Sequence, residues 1–331
     1  MKKIAINGFG RIGRLTYRSL LQRSGLEVVA INDLTDIPTL AHLLEYDTAQ
    51  GKFPFPVETG PDSILIQDNK IAAFQIKEVN QLPWKDLEID VVLECTGIHL
   101  TREANEMHLA AGAKKVILSA PPKDKSIPTF VKGVNEHLLT SSERIISNAS
   151  CTTNCLSVVL KILDEAYGLR FASMNTIHAF TQDQRLQDAP HKDLRRARAA
   201  SMNIIPTTTG AGSAVEAVYP PIKGKLMASS YRVPVITGSL IELVCQLNQN
   251  TTVEAVNGLF KKQAETQLKG ILEYLEKPLV SNDIIGNPHS AIVDAELTAY
   301  QGDWLKVVAW YDNEAGYSAR LADMCELFCN I

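Results

Sequence analysis

The stretch Ser147-Asn148-Ala149-Ser150-Cys151-Thr152-Thr153-Asn154-Cys155 carries the strongest chemical signal in the chain. Small polar residues run straight into the apolar pattern of residues 156–163, so Ser150 reads as an N-cap and Cys151 as part of a helix's first turn. The free N–H groups and the positive end of the helix dipole there favour thiolate over thiol. The same N–H groups can hold the oxyanion formed when that sulfur attacks a carbonyl. A free cysteine is more often a small buried hydrophobe, and the hydroxyls of Ser150, Thr152 and Thr153 weigh against that at position 151. Cys155, one helical turn further on, reads as packed inside. A nucleophilic thiol needs a base, and His178 is the candidate, at the end of a strand-like run and the start of the polar loop Ala179-Phe180-Thr181-Gln182-Asp183-Gln184. The other six histidines fall mainly in helix-like or charged settings without such neighbours.

Further along are groups suited to anions. The loop 185–198 carries Arg185, Lys192, Arg195, Arg196 and Arg198 against Asp188 and Asp193, in a chain of net charge -4. Thr207-Thr208-Thr209-Gly210 offers hydroxyls on a flexible backbone, and Arg232 stands near Pro234 in a strand-like run. From the residues alone, a pair of phosphate pockets and a solvated, salt-bridged loop are equally good readings. At the other end of the chain, Gly8-Phe9-Gly10-Arg11-Ile12-Gly13 matches G-x-G-x-x-G between a strand and a helix. Glycines there permit a tight turn and close backbone approach to a pyrophosphate, which the helix N–H groups then face. Asp33, 20 residues after Gly13, ends the next strand, where a carboxylate can bind ribose hydroxyls and repel a 2′-phosphate. Motif, element order and spacing together indicate dinucleotide binding.

These groups need a scaffold. Residues 2–7, 11–22 and 27–32 read as strand, helix and strand, a unit that implies parallel pairing. Strand-like runs at 91–95, 116–119 and 144–147 alternate with helices such as 102–111, which predicts a Rossmann-type, doubly wound parallel sheet over residues 1–150. After residue 170 strands dominate, at 171–177, 231–236, 240–247, 290–293 and 305–311, with a helix near 253–267. That predicts a catalytic α+β domain, 151–314, with a mostly antiparallel sheet. The amphipathic tail places Leu321, Met324, Cys325 and Phe328 at helical spacing and needs a core to cover.

Composition sets broad limits. The 331 residues suit two domains, and 45 % hydrophobic with 21 % charged residues is ordinary for a soluble globular chain. The six cysteines form no C-x-x-C pair and no zinc-like spacing with histidine, so no metal site is expected. Nothing global points to nucleic acid or membrane, and the apolar run before Asn7 is too short for a signal-peptide core. A cytoplasmic location is expected.

Six stretches together resemble the glyceraldehyde-3-phosphate dehydrogenase family along essentially the whole chain: INGFGRIGR (6–14), INDLTD (31–36), SNASCTTN (147–154), KDLRRARAA (192–200), NIIPTTTG (203–210) and WYDNEAGYS (310–318). The resemblance implies an NAD-dependent, phosphorylating aldehyde dehydrogenase with Cys151 as nucleophile and His178 as base. It implies one phosphate pocket at Thr181 and Arg232, assisted by Arg196, for the substrate's own phosphate. A second, for inorganic phosphate, would involve Ser150, Thr152, Thr209 and Gly210. Gly8, Gly10, Arg11, Ile12, Gly13, Asp33, Thr96, Gly97, Ser119 and Asn313 would serve NAD, with Asn313 on the nicotinamide amide. It further implies a homotetramer, and a final helix, about 315–331, that completes the first domain. The chain departs from the family pattern at Gly212 and Ser213, at residues 228–231, at Gly238 and at Ala315. Two alternatives stand beside this reading: erythrose-4-phosphate dehydrogenase, which resembles it in cysteine and histidine, and a catalytically silent binding protein of the same fold. The intact Thr207–Gly210 segment disfavours the first, and the intact Cys151, His178 and Arg232 disfavour the second.

Overall fold

The computed structural model describes residues 1–331. In chain order its elements are β1 (Lys2–Asn7), α1 (Arg11–Leu20), β2 (Leu26–Asn32), α2 (Ile37–Glu45), β3 (Val57–Thr59), β4 (Ser63–Ile66), β5 (Asn69–Phe74), β6 (Val91–Glu94), α3 (Arg102–Ala110), β7 (Lys115–Leu118) and β8 (Ile145–Ser147). There follow α4 (Cys151–Tyr167), β9 (Leu169–Ala179), β10 (Ile205–Thr207), α5 (Ala211–Val218), β11 (Leu226–Val233), β12 (Ser239–Leu247), α6 (Val253–Glu265), β13 (Leu272–Leu275), β14 (Ala291–Gln301), β15 (Trp304–Tyr311) and α7 (Ala315–Asn330). The chain divides into two compact units: residues 1–130, 137–149 and 318–331, and residues 131–136 with 150–317.

The first unit is built on an eight-stranded sheet of order β3-β4-β5-β2-β1-β6-β7-β8. From β5 to β8 every pairing is parallel, and only β3 and β4 add antiparallel edge strands. Parallel strands are covered on both faces, which is why β1 and β6 read as unbroken apolar runs and are buried throughout their paired centres. Strand order reverses at β1 and β6, so the loops after Asn7 and Glu94 open side by side at the carboxyl ends, where such sheets bind ligands. The body of α7 belongs to this unit, where Lys115 Nζ donates to Phe328 O at 2.7 Å and Arg23 pairs with Asp323.

The second unit carries a seven-stranded sheet, β10-β11-β9-β12-β15-β14-β13. Its β11–β9 and β13–β14 pairings are parallel and the rest antiparallel. The strand read at 231–236 is displaced: β11 begins at Leu226, where it joins β9, and ends at Val233, because Pro234 has no N–H for the ladder. α4 packs against β9, β12, β14 and β15 and against α5.

Candidate active site

α4 begins where the sequence placed it. Ser150 has an extended backbone, and its hydroxyl accepts from Thr153 N at 3.2 Å, so Cys151 occupies the first helical turn. Ala149, just before the cap, holds φ +56°, an unusual conformation for a residue with a side chain. Cys151 is partly exposed, whereas Cys155, one turn later, is fully buried.

His178 lies near the end of β9, opposite Arg232 in the parallel register of β11. Its Nε2 is 3.5 Å from Cys151 Sγ. The ring packs edge-on against Tyr311, with centroids 5.9 Å apart. Tyr311 is anchored in turn, its hydroxyl bonded to Thr152 Oγ1 at 2.8 Å and Thr176 Oγ1 at 2.9 Å. On the far side of the imidazole, Nδ1 is 2.6 Å from Ala179 O and 2.5 Å from an Arg232 guanidinium nitrogen. A guanidinium can only donate, so Arg232 and a proton on Nδ1 compete for the same place.

Burial counteracts the helix end at Cys151. It pushes the thiol above its usual value, with the Arg232 charge and the Thr152 bonds opposing that push. Burial, and then the Arg232 charge, also drive His178 down to about 3. The low-dielectric setting thus disfavours a lone thiolate and a lone imidazolium alike. Proton transfer within the pair is the favoured route to reactive sulfur, because it creates both charges together and leaves the net charge unchanged.

A second polar chain starts beside the base. Ala179 N donates to Ser239 Oγ at 3.0 Å, and that hydroxyl donates to Asn313 Oδ1 at 2.8 Å. The carbonyl end of Asn313 is thereby held. Thr237 Oγ1 donates to Asp312 Oδ1 at 2.8 Å in the adjoining turn. Sequence reading missed Tyr311, Ser239 and Thr237. Their signal, buried hydroxyls at strand ends, resembles that of any core residue.

The anion-binding candidates fall into distinct settings. Arg232 Nε is buried and has no hydrogen-bond partner, a donor edge suited to an anion. Arg196 is held by the loops: Nε donates to Thr207 Oγ1 at 2.7 Å, one terminal nitrogen to Thr208 O at 3.2 Å and the other to Asp183. Thr181 is exposed, its N–H bonded to Gln184 Oε1 at 2.8 Å. Thr209 Oγ1 accepts from Ala211 N at 3.1 Å, at the start of α5 that Gly210 opens. Thr152 is buried, and its hydroxyl is hydrogen-bonded to Tyr311 at 2.8 Å.

The dinucleotide turn lies in the first unit. Gly8 has φ +90°, and a Cβ on it would meet Thr96 N at 2.6 Å; one on Gly13 would meet Gly8 O at 2.2 Å. Both positions exclude side chains, whereas Gly10 has open space. No side chain caps α1 at Gly10, which suits a helix end that faces a pyrophosphate. Ile12 lies in that first turn, and the Arg11 side chain is directed to Asp47 at 2.6 Å. Asp33 accepts from Phe9 N at 2.8 Å and Thr35 N at 3.0 Å, which fixes its carboxylate beside the turn. Thr96, Gly97 and Ser119 follow β6 and β7 at the same edge of the sheet. The Thr96 hydroxyl donates to Glu94 and accepts from Ile98 N at 3.1 Å, and the Thr96 N–H also donates to Glu94, at 2.8 Å.

Comparison with known proteins decides the family. Residues 2–102 match the family model for the glyceraldehyde 3-phosphate dehydrogenase NAD binding domain, and residues 150–313 match that for its C-terminal domain. This chain belongs to the glyceraldehyde 3-phosphate dehydrogenase family. Curated relatives of that name include proteins from Mycobacterium avium, 52 % identical over 332 residues, and Mycolicibacterium smegmatis, 51 % identical over 333 residues. Each of those alignments covers 98 % of both chains. A Bacillus cereus relative, glyceraldehyde-3-phosphate dehydrogenase 1, is 50 % identical over 98 % of this chain and 97 % of its own. The family makes the chain an NAD-dependent oxidoreductase.

Proposed function

We propose that the chain oxidises D-glyceraldehyde 3-phosphate with NAD and inorganic phosphate to 1,3-bisphosphoglycerate. The observation that carries this reading is the Cys151–His178 pair, 3.5 Å apart at the start of α4, with the partnerless Nε of Arg232 beside it. Substrate phosphate engages the Arg232 guanidinium, assisted by Thr181 and Arg196. That contact draws Arg232 from Nδ1, the imidazole proton shifts to Nδ1, which donates a hydrogen bond to Ala179 O, and Nε2 is left to accept the thiol proton. The sulfur attacks the aldehyde carbon, and the first N–H groups of α4 stabilise the oxyanion. The His178 imidazolium returns its proton to that oxyanion, giving a neutral imidazole and a thiohemiacetal on Cys151. Its hydroxyl proton passes to a deprotonated His178 as the hydride departs, and a thioester remains. When bound, NAD supplies the hydride acceptor; Gly8, Gly10 and Gly13 with the start of α1 would hold its pyrophosphate, Asp33 its ribose, and Asn313 its carboxamide. Inorganic phosphate, near Ser150, Thr209 and Gly210, then attacks the acyl carbon and expels the Cys151 thiolate. Splitting oxidation from acyl transfer replaces one difficult step with two easier ones.

The chain is read as a cytoplasmic homotetramer. Leu186, Leu194, Met202, Ile204 and Met227 of the second unit are 69–81 % exposed, apolar area that contact between copies would cover. No helix is long and apolar enough to cross a membrane. The test of the activity follows NADH formation from glyceraldehyde 3-phosphate and erythrose 4-phosphate, with NAD or NADP, at varied phosphate. Turnover indifferent to phosphate, or faster with erythrose 4-phosphate, overturns the proposal.

A further inference from the structure

A buried carboxylate lies beneath the dinucleotide turn. Glu94 closes β6 and is 2 % exposed. Its Oε2 accepts from Asn7 Nδ2 at 2.6 Å and from His108 Nε2 at 3.0 Å. Its Oε1 accepts from Thr96 N at 2.8 Å and from the Thr96 hydroxyl.

Each of these partners is compelled to donate. Trp84 Nε1, which can only donate, is 3.0 Å from His108 Nδ1, so the ring proton sits on Nε2, facing Glu94. Asn32 accepts from Ile76 N at 2.9 Å and donates to Ile76 O at 3.0 Å, which fixes which way its amide points. Its Nδ2 also donates to Asn7 Oδ1 at 2.7 Å, so the other end of Asn7, Nδ2, is turned to Glu94. The Thr96 hydroxyl accepts from Ile98 N, so its proton is free for Glu94. A protonated Glu94 would set its own hydrogen against one of four donors. Burial pushes this carboxyl up, and the bonds from His108, Thr96 and Asn7 more than offset that, holding it below its usual range.

The anion is mechanically tied to the glycine turn. Asn7 immediately precedes Gly8, and the Thr96 peptide is the surface on which Gly8 closes, 2.6 Å from where a Cβ would stand. Gly13 packs on Gly8 O in the same way, which sets the start of α1. We propose that Glu94 is a positioning residue for the dinucleotide, its anion fixing Asn7 and the Thr96 turn so that Gly8–Gly13 keeps the shape that receives the pyrophosphate. This rests on the reading of that turn as the NAD site.

The test uses Glu94→Gln, which keeps the shape but cannot accept from all four donors. NAD binding is titrated by calorimetry on the full-length enzyme, thermal unfolding is recorded without cofactor, and kcat is measured at saturating NAD. The Kd for NAD should rise about tenfold or more while kcat at saturation changes less than about twofold. A lowered unfolding temperature with an unchanged Kd means a purely structural role and overturns the proposal. Thr96→Ala, which removes one of the four bonds and should leave folding intact, should raise Kd in the same direction. The double variant should be no weaker than the weaker single one, since both act through one contact. Independent multiplication of the two effects also overturns it, as does an unchanged Kd in Thr96→Ala should Glu94→Gln fail to fold. A wild-type enzyme without measurable NAD binding would instead refute the site reading itself.

Discussion

Arg232→Ala should separate recognition of the substrate's phosphate from the chemistry at its aldehyde. In the ligand-free chain the guanidinium donates to Ala179 O at 2.9 Å and stands against His178 Nδ1, while its buried Nε has no partner. A phosphate would satisfy that donor with a charge-assisted bond, which contributes about 1.5–3 kcal/mol. Its loss corresponds to roughly a 10- to 150-fold rise in the aldehyde concentration needed to form the acyl-enzyme. Stopped-flow absorbance reads this as the concentration dependence of the NADH burst. D-glyceraldehyde, which lacks the phosphate, supplies the control: it registers only the effect of Arg232 on the Cys151–His178 pair, so the phosphorylated aldehyde should lose a further factor of about 10 or more beyond that change. Equal weakening for both aldehydes would show that Arg232 acts on the Cys151–His178 pair alone, and the phosphate assignment would be wrong.

Other variants probe the remaining roles. Cys151→Ser should abolish oxidation while NAD binding, measured by fluorescence quenching, persists, since the glycine turn is untouched; an active variant would refute the nucleophile. His178→Asn should slow acylation by about 10²–10⁴-fold and make Cys151 less reactive to iodoacetamide near neutral pH, so an unchanged alkylation rate would exclude proton transfer within the pair. The same histidine predicts acid sensitivity: its pKa is about 3 folded and about 6.5 unfolded, so between those values the unfolded chain binds more protons and stability falls as pH drops. His178→Asn should therefore flatten the dependence of unfolding temperature on pH across that window. Thr209→Ala should raise the phosphate requirement by roughly 2- to 13-fold, the worth of one neutral bond, and leave the NADH burst nearly intact. A lost burst with unchanged phosphate dependence would reverse the two pockets. Asp33 should favour NAD over NADP by repelling a 2′-phosphate, and equal kcat/KM for the two cofactors would sink that assignment.

Much of this was legible because some residues announce their physics locally. Gly8 and Gly13 stand where no Cβ fits, and Ser150 is one of the few residue types that cap a helix well, so sequence alone exposed the dinucleotide turn and the start of α4. Gly238, a departure from the family pattern, has a plain cause: φ is +87°, and a Cβ would lie 2.3 Å from Ser281 O. No structural feature accounts for Ala315. What stayed hidden depends on pairing between distant segments. Tyr311 reaches Thr152 and Thr176 only after β15, α4 and β9 have packed, and Glu94 looks like the end of an apolar strand until Asn7 and His108 arrive. The basic loop read the same way in both of its interpretations, because Arg196 pairs with Asp183 while still lying beside Thr207.

The arrangement around His178 follows from the burial that makes it reactive. In a medium that disfavours every isolated charge, orientation has to come from neutral, directional bonds. Two such chains flank the ring. Thr152, Tyr311 and Thr176 hold one side, and Ala179, Ser239 and Asn313 hold the other. The second chain begins at the residue whose carbonyl lies 2.6 Å from His178 Nδ1 and ends at the amide proposed to hold the nicotinamide. Its three members sit at the end of β9, the start of β12 and the turn after β15, neighbouring strands of one sheet. A shift of the base would therefore carry Asn313 with it, so the proton acceptor and the cofactor's orienting group stay in register. Ser239→Ala tests this: it removes the link without touching either end. KM for NAD and the acylation rate should both worsen in that variant, and a change confined to one of them would mean that the two groups are positioned independently.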